Sequence, residues 1–526
     1  MLTVRTTKIA SGNTSVQVVY RHNHKTKIIK HIGTAKSQKE KEGLIQIANQ
    51  YIGNNDSMPP LLPEVFTKQT DGDFLVSLKH LKLGNNYHAF AYEVLSYFYA
   101  LNGFENVKSN VLRDLAFMRI IEPCSKLRSV ALLKEYFDIT YPVNTVYEEL
   151  REIGTVKEET EKAAVTFAKK HLSFDFSLVF YDVTTLYFES FTEDDDVTDK
   201  RGNKTVGLRK NGFGKEKKPG QPLIVIGLLV NRDGYPIAVE TFSGKTFEGH
   251  TILPVIKKLQ ERYKMKTLTI VADAAMLSLV NTKAIVDAHL CYIVGARMGS
   301  MPIKLLKKIT KKLNKTENKY IRIRTDWGIL VCDYSDKRAA KDRSDRKKQL
   351  AKAAYQIEYP DKVKRRTRFV IEETKATLKL NQELIDQDIL REGIKGYYTN
   401  LKKVPSRLIA ARYHDLWHVE KSFRIAKSDL QARPIFHHKR ESIEAHIGIV
   451  FVSLCLAKSI ELQTGYSIQK VRDSIWRILD VELIDMLTKR TFIKRMERAE
   501  NEIAEFLEKL MYVDKSKFNS NRVLKK

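Results

Sequence analysis

Residues 177–185 read SLVFYDVTT, and residues 221–242 read QPLIVIGLLVNRDGYPIAVETF. The first stretch predicts a short buried strand that ends in an acid, and the second predicts a β-hairpin around the Asp233-Gly234 turn. Helical and strand patterns alternate after the hairpin, with a helix at 251–264, a strand at 267–275, a helix at 276–288 and a strand at 291–297. These patterns predict an α/β domain.

The order of these elements indicates a particular topology. Three strands followed by helix, strand, helix and strand is the order of a ribonuclease-H-like fold. In that order the helical crossover lets the strand TLTIVADAA (267–275) lie parallel to the first strand, so both strands end at the same edge of the sheet. Asp182 is taken to end the first strand and Asp273 the fourth. The two aspartates are therefore predicted to be neighbours.

The charge of the chain points to an anionic partner. The 526 residues include 91 Lys and Arg against 63 Asp and Glu, a formal charge of +28. The chain is also 43% hydrophobic, which is enough for packed cores and excludes a mainly disordered basic chain. Nucleic acid is the commonest partner of such a protein, and a membrane surface is the alternative. No membrane insertion is expected, because the longest apolar run, Ile447–Ala457, is shorter than the ~20 residues that span a bilayer and predicts a buried helix.

Two segments hold much of the positive charge. Residues 301–370 contain 22 Lys and Arg against 8 Asp and Glu. The loop KRGNKTVGLRKNGFGKEKKPG (200–220) contains eight basic residues and one acid, and its Lys210 and Lys215 are predicted to bind DNA phosphates. Its glycines and charges place this loop outside the core, either as a strap that orders on DNA or as a solvated loop.

Three carboxylates form the candidate site: Asp182, Asp273 and Glu420. Glu420 lies on a helix predicted to run from Ser406 to the Arg433-Pro434 stop. Two acids at a sheet edge and one from a helix crossing it would make an all-oxygen site of the kind that Mg²⁺ prefers and Mn²⁺ can share. Two such ions about 3.5–4 Å apart can promote phosphodiester cleavage. Each acid alone is more commonly a turn former, a cap or a solvated charge, so the hypothesis depends on their juxtaposition.

Four blocks of sequence together resemble bacterial insertion-sequence transposases of the DDE class. They are FYDVTTLYFES (180–190), GQPLIVIGLLVNRDGYPIAVETFSGKTFEGHT (220–251), IVADAAMLS (270–278) followed by CYIVGAR, and YHDLWHVEKSFRIAKSDLQARPIFHH (413–438). The opening VRTTKIASGN and the segment IGTAKS are also similar, so the resemblance spans residues 1–460. In this branch of the family the catalytic helix carries a Y-x2-R-x3-E-x6-K signature, and a β-rich insertion interrupts a ribonuclease-H-like domain.

The resemblance implies roles for individual residues. It makes Asp182, Asp273 and Glu420 the catalytic, metal-binding triad, with Mg²⁺ as the cofactor and Mn²⁺ as a substitute. It matches Tyr413 and Lys427 to the signature tyrosine and lysine, which hold phosphates beside the cleaved bond. Because their spacings from Glu420 are close to two helical turns, both residues are predicted to project from the same helix face as Glu420.

One position departs from the signature. Leu416 stands where the family has arginine, so one phosphate contact must come from elsewhere. Arg412 and Arg424 are the candidates for that contact, and Arg424 lies four residues after Glu420 on a similar face of the predicted helix.

The predicted architecture is a ribonuclease-H-like α/β catalytic domain with a β-rich insertion subdomain, preceded by a small β plus all-helical DNA-binding region and followed by a helical tail. The predicted segments are an N-terminal β-meander and helix (1–58), a linker (59–84), a helical DNA-binding region (85–172), the two halves of the catalytic domain (173–297 and 405–463), a basic β-rich insertion between those halves (298–404) and a C-terminal helical tail (464–526). Within the helical region, VLRDLAFMRIIE (111–122) and SKLRSVALLKEYF (125–137) are either a helix-turn-helix DNA reader or plain packing.

The predicted function is DNA transposition. The chain would cut at terminal inverted repeats and join the freed 3′-OH ends to target DNA, as a homodimer when both ends are synapsed, without a membrane partner. The four cysteines show no C-x-x-C spacing, so an intracellular protein is expected rather than a disulfide scaffold or a zinc module. The resemblance implies that it is a cytoplasmic, nucleoid-associated bacterial protein. The alternatives are a metal-dependent nuclease of the same fold and a DNA-binding relative that has lost activity.

Overall fold

A computed structural model of the chain describes residues 2–10, 12–22, 25–55, 78–198, 202, 204–214, 220–264, 268–276, 278–362, 365–374, 377–496 and 500–514. The contacts between residues divide the chain into two compact units. The first unit comprises Met1–Ala91, Glu135–Asp138 and Ser474–Glu502, and the second comprises Tyr92–Lys134, Ile139–Asp473 and Ile503–Lys526.

The strands and helices are numbered in chain order. The strands are β1 (Leu2–Lys8), β2 (Thr14–His22), β3 (Lys25–Ala35), β4 (Leu81–Tyr87), β5 (Leu178–Tyr187), β6 (Val197–Thr198), β7 (Lys204–Thr205), β8 (Leu223–Val230), β9 (Pro236–Ser243), β10 (Thr269–Ala272), β11 (Cys291–Gly295), β12 (Tyr320–Thr325), β13 (Gly328–Tyr334), β14 (Val370–Thr374), β15 (Thr377–Leu380), β16 (Ile394–Thr399), β17 (Leu479–Asp485) and β18 (Thr491–Met496). The helices are α1 (Gln38–Asn55), α2 (Ala89–Leu101), α3 (Asn110–Ile121), α4 (Lys126–Phe137), α5 (Val143–Ile153), α6 (Lys157–His171), α7 (Ile252–Tyr263), α8 (Leu279–Asp287), α9 (Ile303–Leu313), α10 (Asp336–Glu358), α11 (Gln382–Leu390), α12 (Ser406–His414), α13 (Trp417–Arg424), α14 (Arg440–Thr464), α15 (Ile468–Ile475) and α16 (Glu502–Asp514).

The first unit contains two antiparallel sheets. Strands β1, β2 and β3 pair in sequence order, and α1 packs on them around Val16, Val18 and Ala48, which confirms the predicted meander and helix. The second sheet has the order β18-β17-β4. The prediction of an all-helical tail after residue 464 is therefore wrong, because 479–496 form a hairpin that pairs with a strand close to 400 residues earlier in the chain.

The second unit is built on an eight-stranded sheet of order β12-β13-β16-β11-β10-β5-β8-β9. Strand β10 lies parallel to β5 on one side and to β11 on the other, and the remaining neighbours are antiparallel. This order places β5 inside the sheet, third from the β9 edge, between β10 and the hairpin β8-β9. The predicted parallel arrangement of the strand in 267–275 and the first strand is confirmed by the pairing of β10 with β5.

The segment 298–404 does not form a separate β-rich subdomain. Its strands β12, β13 and β16 extend the central sheet, and only β14 and β15 form a separate two-stranded ribbon. It also contributes three helices, of which α10 is 23 residues long. The pairing of β16 with β11 joins residues about a hundred positions apart, so no local pattern of the sequence predicts it.

Helices pack around one end of this sheet in the second unit. Helix α14 crosses α3 and α5 and contacts β9. It is long and apolar enough to cross a membrane by length and composition, but 89% of its most apolar window is buried in the fold, which confirms the predicted core helix. Helix α3 is buried along ten of its twelve residues, so the 111–122 segment packs in the core and does not present a reading surface.

One buried acid ties the helical layer to the sheet. Glu161 on α6 is 1% exposed and accepts a hydrogen bond of 3.1 Å from the Val239 N–H on β9. Its carboxylate also bonds to the guanidinium of Arg262 on α7, and the Lys157 ammonium lies 3.7 Å away. Three elements of the second unit therefore meet at this carboxylate.

Candidate active site

Asp182 and Asp273 occupy matching positions on adjacent parallel strands. The register pairs Tyr181 of β5 with Ala272 of β10, and each aspartate is the next residue in its strand direction. The predicted juxtaposition of the two aspartates is confirmed at the level of the backbone. Asp182 does not end its strand as predicted, because residues 183–187 continue to pair with β8. It is a half-buried residue in mid-strand, whereas Asp273 is exposed directly after β10.

Tyr413 joins the site through a hydrogen bond to Asp273. Its hydroxyl donates to Oδ1 of Asp273 over 3.2 Å, and the Ala274 N–H donates to the same oxygen over 2.6 Å. The ring of Tyr413 lies over Gly295 of β11, where an added Cβ would stand 2.3 Å from the tyrosine hydroxyl. Glycine at 295 is therefore required for Tyr413 to reach Asp273.

Glu420 belongs to the same electrostatic environment. Burial raises the pKa of Tyr413, and the negative charges of Asp273, Glu420 and Asp182 raise this pKa further. The phenol therefore stays protonated and remains a hydrogen-bond donor at neutral pH. Glu420 itself is exposed on α13.

Asp182, Asp273 and Glu420 are the candidate ligands for a divalent cation. Three carboxylates supply the hard oxygen ligands that Mg²⁺ and Mn²⁺ bind, so the chemistry of the residues fits such an ion. Within the described ranges, however, no group of three or more His, Cys, Asp or Glu side chains has ligand spacing. The two aspartates are side by side, and Glu420 does not close on them to complete a cage.

The segment 413–427 is not one continuous α-helix. Tyr413 lies in the last turn of α12, and the bonds Leu416 N to Tyr413 O and Val419 N to Leu416 O span three residues each, so the chain is tightly wound where α12 ends and α13 begins. Residues 425–429 then form a π-turn, in which Leu430 N bonds to Ile425 O. The chain is wound more tightly than an α-helix before Glu420 and more loosely after it. The prediction that Tyr413, Glu420 and Lys427 project from one face of a straight helix therefore does not hold.

Lys427 lies within this π-turn. Its side chain is half-buried. Such π-turns are rare in helices and occur often at functional sites. The turn places Lys427 after the end of α13, and not on a straight continuation of the face that carries Glu420.

The replacement of the signature arginine has a packing explanation. Leu416 is 6% exposed, so its side chain belongs to the core. Arg412 lines a different cavity, which it shares with Leu178 at the start of β5, and is therefore not placed to replace that contact beside Asp273. Arg424 is exposed at the end of α13 and remains the candidate from that pair.

Comparison with known proteins identifies the family of this chain. The family model described as a transposase DDE domain matches residues 176–456, which is more than half of the 526 residues. The chain belongs to the DDE transposase domain family. The match contains Asp182, Asp273 and Glu420, together with the sheet strands from β5 to β16.

Other comparisons give less. No curated protein matches this DDE transposase. Among solved structures, a cryo-EM structure of a piggyBac transposase synaptic complex with hairpin DNA is similar at 10% sequence identity, with 79% of this chain and 74% of that chain covered and a TM-score of 0.32.

The basic loop of this DDE transposase is partly built into the fold. Lys210, predicted to bind DNA, is 7% exposed, and its ammonium lies 3.4 Å from Asp196 and 4.0 Å from Glu193. The neighbouring Arg209 is also buried and bonds to Asp194. The prediction that the loop stays outside the core is therefore wrong for this part of it, whereas DNA binding by Lys210 stays a prediction. Lys215 lies outside the described residues.

Lys395 is a site residue that the sequence reasoning missed. It lies on β16, half-buried, with its ammonium 4.8 Å from the centre of the Tyr413 ring. Burial lowers the pKa of Lys395, as does the positive charge of Arg338, while Asp333, Asp273 and Glu420 oppose that shift. The available signal was a single lysine among the apolar residues of IKGYYT, but it becomes meaningful only when β16 is known to join the central sheet.

A cluster of buried basic groups supports the chain just after the π-turn. The Lys126 ammonium lies 2.6 Å from Nδ1 of His446, whose Nε2 donates to the Ala432 carbonyl over 2.9 Å. Burial and the positive charges of Lys126 and Arg119 lower the pKa of the nearby His437 to about 4. Protonation of this cluster therefore has to add charge to a buried and already basic environment.

The cluster predicts acid lability of this transposase. The unfolded chain takes up a proton on His437 near pH 6.5, whereas the folded chain does so only near pH 4, so stability falls as the pH drops through this window. We expect the midpoint of thermal unfolding to fall between pH 7 and pH 4.5, and to fall less in His437→Gln. The exposed His250→Gln serves as the control and should retain the wild-type dependence. An identical loss in His437→Gln and wild type would contradict this assignment.

Proposed function

We propose that this DDE transposase cuts DNA at the terminal inverted repeats of a bacterial insertion sequence and joins the 3′-OH ends to target DNA. The observation that carries the proposal is the placement of Asp182 and Asp273 at matching positions of parallel strands, with Tyr413 bonded to Asp273. We further propose that the five strands β9-β8-β5-β10-β11 represent a ribonuclease-H-like core.

Asp182, Asp273 and Glu420 would hold the divalent cation, which we propose to be Mg²⁺ or Mn²⁺. When bound, such an ion activates the attacking oxygen and stabilises the leaving one. In cleavage, water would displace the 3′ oxygen from phosphorus, leaving a 3′-OH and a 5′-phosphate. In joining, that 3′-OH would displace the 3′ oxygen of a target phosphodiester, so no covalent enzyme intermediate is needed.

Side chains outside the triad would position the Asp273 carboxylate and the DNA. Tyr413 keeps the Asp273 carboxylate in place by donating to Oδ1. Lys427 and Arg424 would contact phosphates next to the cleaved bond. Their positive charges would offset the repulsion between the carboxylates and the DNA backbone. Helix α10 presents exposed Lys341 and Lys348 to solvent, which suits sequence-independent phosphate binding farther from the centre.

Binding of the element's ends is assigned to larger surfaces. The N-terminal residues 1–172 would recognise the terminal repeats, with help from the basic segment 301–370. A homodimer would hold both ends together in the synapsed state. These assignments follow from the charge distribution and the resemblance described above.

Tyr413→Phe tests the role of the tyrosine hydroxyl. The substitution keeps the ring over Gly295 and removes the hydrogen bond to Asp273. Because hydrogen bonds to charged groups contribute about 1.5–3 kcal/mol, the rate of strand cleavage should fall about 10- to 100-fold while the fold is retained. Single-turnover cleavage of repeat-ended DNA measures this. A wild-type rate in Tyr413→Phe would contradict a positioning role for the hydroxyl.

The proposed function is tested with DNA from the element itself. A duplex that ends in the inverted repeat flanking the gene is incubated with the protein in Mg²⁺, in Mn²⁺ and in EDTA. We expect cleavage at the repeat boundary with a 3′-OH product in either metal and none in EDTA. Cleavage at the same position in EDTA, or no cleavage of any repeat-ended duplex, would contradict the proposal.

A further inference from the structure

Lys395 stands beside the carboxylate site, and no acid among the described residues forms an ion pair with it. Its strand β16 pairs with β11, whose Gly295 lies under Tyr413. Lys395 lines a cavity of about 480 Å³ together with Asp273, Tyr413 and Arg338. A lysine, a tyrosine and an aspartate therefore share one open space next to the predicted point of chemistry.

Aromatic rings hold the Lys395 ammonium in place. The ammonium lies 4.8 Å from the ring centre of Tyr413 and 5.8 Å from that of Tyr397. Cation–π contacts of this kind fix a side chain but leave its charge unneutralised. In the described part of the chain no carboxylate lies within ion-pair distance of Lys395, although Asp273 and Glu420 are close enough to influence its pKa.

The arginines of the same cavity are occupied differently. Arg346 pairs with Glu392 and with Asp388, and Arg368 lies 2.8 Å from Asp388. Acids of the fold therefore hold these two guanidinium groups in ion pairs. Lys395 is thus a preorganised positive charge in the cavity that has no fixed counter-charge among the described residues.

We propose that Lys395 binds a DNA phosphate beside the cleaved bond and supplies the cationic contact that Leu416 cannot make. The inference rests on the proposed function, because it assumes that DNA enters at Asp273. Leu416 is buried, Arg412 lines another cavity, and Arg424 is not among the residues that line the cavity of Tyr413. Lys395 is therefore better placed than Arg424 for the contact next to Tyr413, and Arg424 would contact a different phosphate. Lysine suits this position, since a compact ammonium can hold a phosphate without the fixed fork geometry of arginine.

The test is a chemical cycle between the protein and the DNA. Single phosphates within a few nucleotides of the cleavage position are replaced, one at a time, by uncharged methylphosphonates. Dissociation constants of each duplex are measured in EDTA for wild type, Lys395→Gln and Lys395→Arg. Lys257→Gln, which removes an exposed lysine from α7, serves as the matched loss of one charge.

The cycle has a defined expected result. Lys395→Gln should weaken binding of the unmodified duplex about tenfold, and one methylphosphonate should weaken wild-type binding by a similar factor. When Lys395→Gln is combined with that methylphosphonate, the dissociation constant should rise by less than the product of the two separate factors. Lys395→Arg should recover most of the affinity. The effect of Lys257→Gln should multiply with that of every methylphosphonate.

Two failures can be told apart. In the first, the wild type binds and cuts the repeat-ended duplex, and Lys395→Gln unfolds at the wild-type temperature. If the effects of Lys395→Gln and of the methylphosphonate then multiply at every linkage, only the role of Lys395 is overturned. A wild-type protein that neither binds nor cuts any repeat-ended duplex would count against the proposed function itself, and also against Lys395 as a DNA contact.

Discussion

Asp273→Asn should abolish DNA strand cleavage and leave DNA binding intact. Asparagine keeps the shape of the side chain and its bonds to Tyr413 and Ala274, but it removes the negative charge that a divalent cation requires. We expect the cleavage rate to fall by about a thousandfold or more, the scale of losing a preorganised charge interaction at a reacting centre. Binding should not weaken, because one charge that repels phosphate is removed.

The measurement is single-turnover cleavage of repeat-ended DNA in Mg²⁺, with affinity determined separately in EDTA. Asp182→Asn and Glu420→Gln should have the same effect. Asp287→Asn, an exposed aspartate at the end of α8, is the matched control and should cut at the wild-type rate. Retained cutting by all three carboxylate variants would remove the triad from the mechanism.

Glu420 is the most informative of the three. The two aspartates lie side by side by register, whereas Glu420 is exposed and does not form a ligand cluster with them among the described residues. Loss of activity in Glu420→Gln would mean that the helix α13 brings this carboxylate to the site when DNA and metal are bound. Full activity in Glu420→Gln, with inactive aspartate variants, would assign the third ligand to another residue.

Glu161→Ala should have the largest effect on stability. The substitution removes the carboxylate that bonds Arg262 and the Val239 N–H, and it leaves a largely buried guanidinium without this partner. Removing one member of a buried ion pair costs about 3–5 kcal/mol. The expected result is a clear drop in the unfolding midpoint in urea, with α6 and β9 losing protection against hydrogen exchange first.

The matched control for this substitution is Glu159→Ala. Glu159 is exposed in the first turn of the same helix, so its replacement should change stability by no more than about 0.5 kcal/mol. Equal midpoints for Glu161→Ala and Glu159→Ala would show that the Glu161 network does not connect the helical layer to the sheet.

The sequence predicted the centre of the sheet well, because that region depends on local signals. The Asp233-Gly234 turn fixes the β8-β9 hairpin, and the helix between β9 and β10 requires a parallel return to β5. From these two facts the adjacency of Asp182 and Asp273 follows without any side-chain information. An acid usually marks the end of a buried strand, but β5 continues through Asp182 because residues 183–187 still pair with β8.

Longer-range features could not be predicted in the same way. The extension of the sheet by β16 depends on pairing with β11 across a long intervening segment, and Lys395 was missed with it. The tight turn and the π-turn in 413–429 leave the apolar spacing of the sequence almost helical, so the pattern predicted one straight helix. Neither the pairing of β16 with β11 nor the irregular turns in 413–429 can be predicted from the spacing of apolar residues along the chain.

The basic loop shows a signal that was available and was not used. The stretch EDDD (193–196) lies directly before the basic residues of 200–220 and supplies the acids that pair with Arg209 and Lys210. Two neighbouring runs of opposite charge can pair with each other, and this pairing predicts that Lys210 is held by acids of the fold.

The most direct test of the central claim is strand transfer. Pre-cleaved repeat ends with free 3′-OH groups are incubated with the protein and a supercoiled plasmid in Mg²⁺, and the junctions are sequenced. The account predicts repeat ends joined through their 3′ oxygens to the plasmid, with no joining by Asp273→Asn or by ends that carry a 3′-deoxy terminus. A protein that cuts repeat-ended DNA but never joins these ends would be a nuclease, and this result would contradict the account.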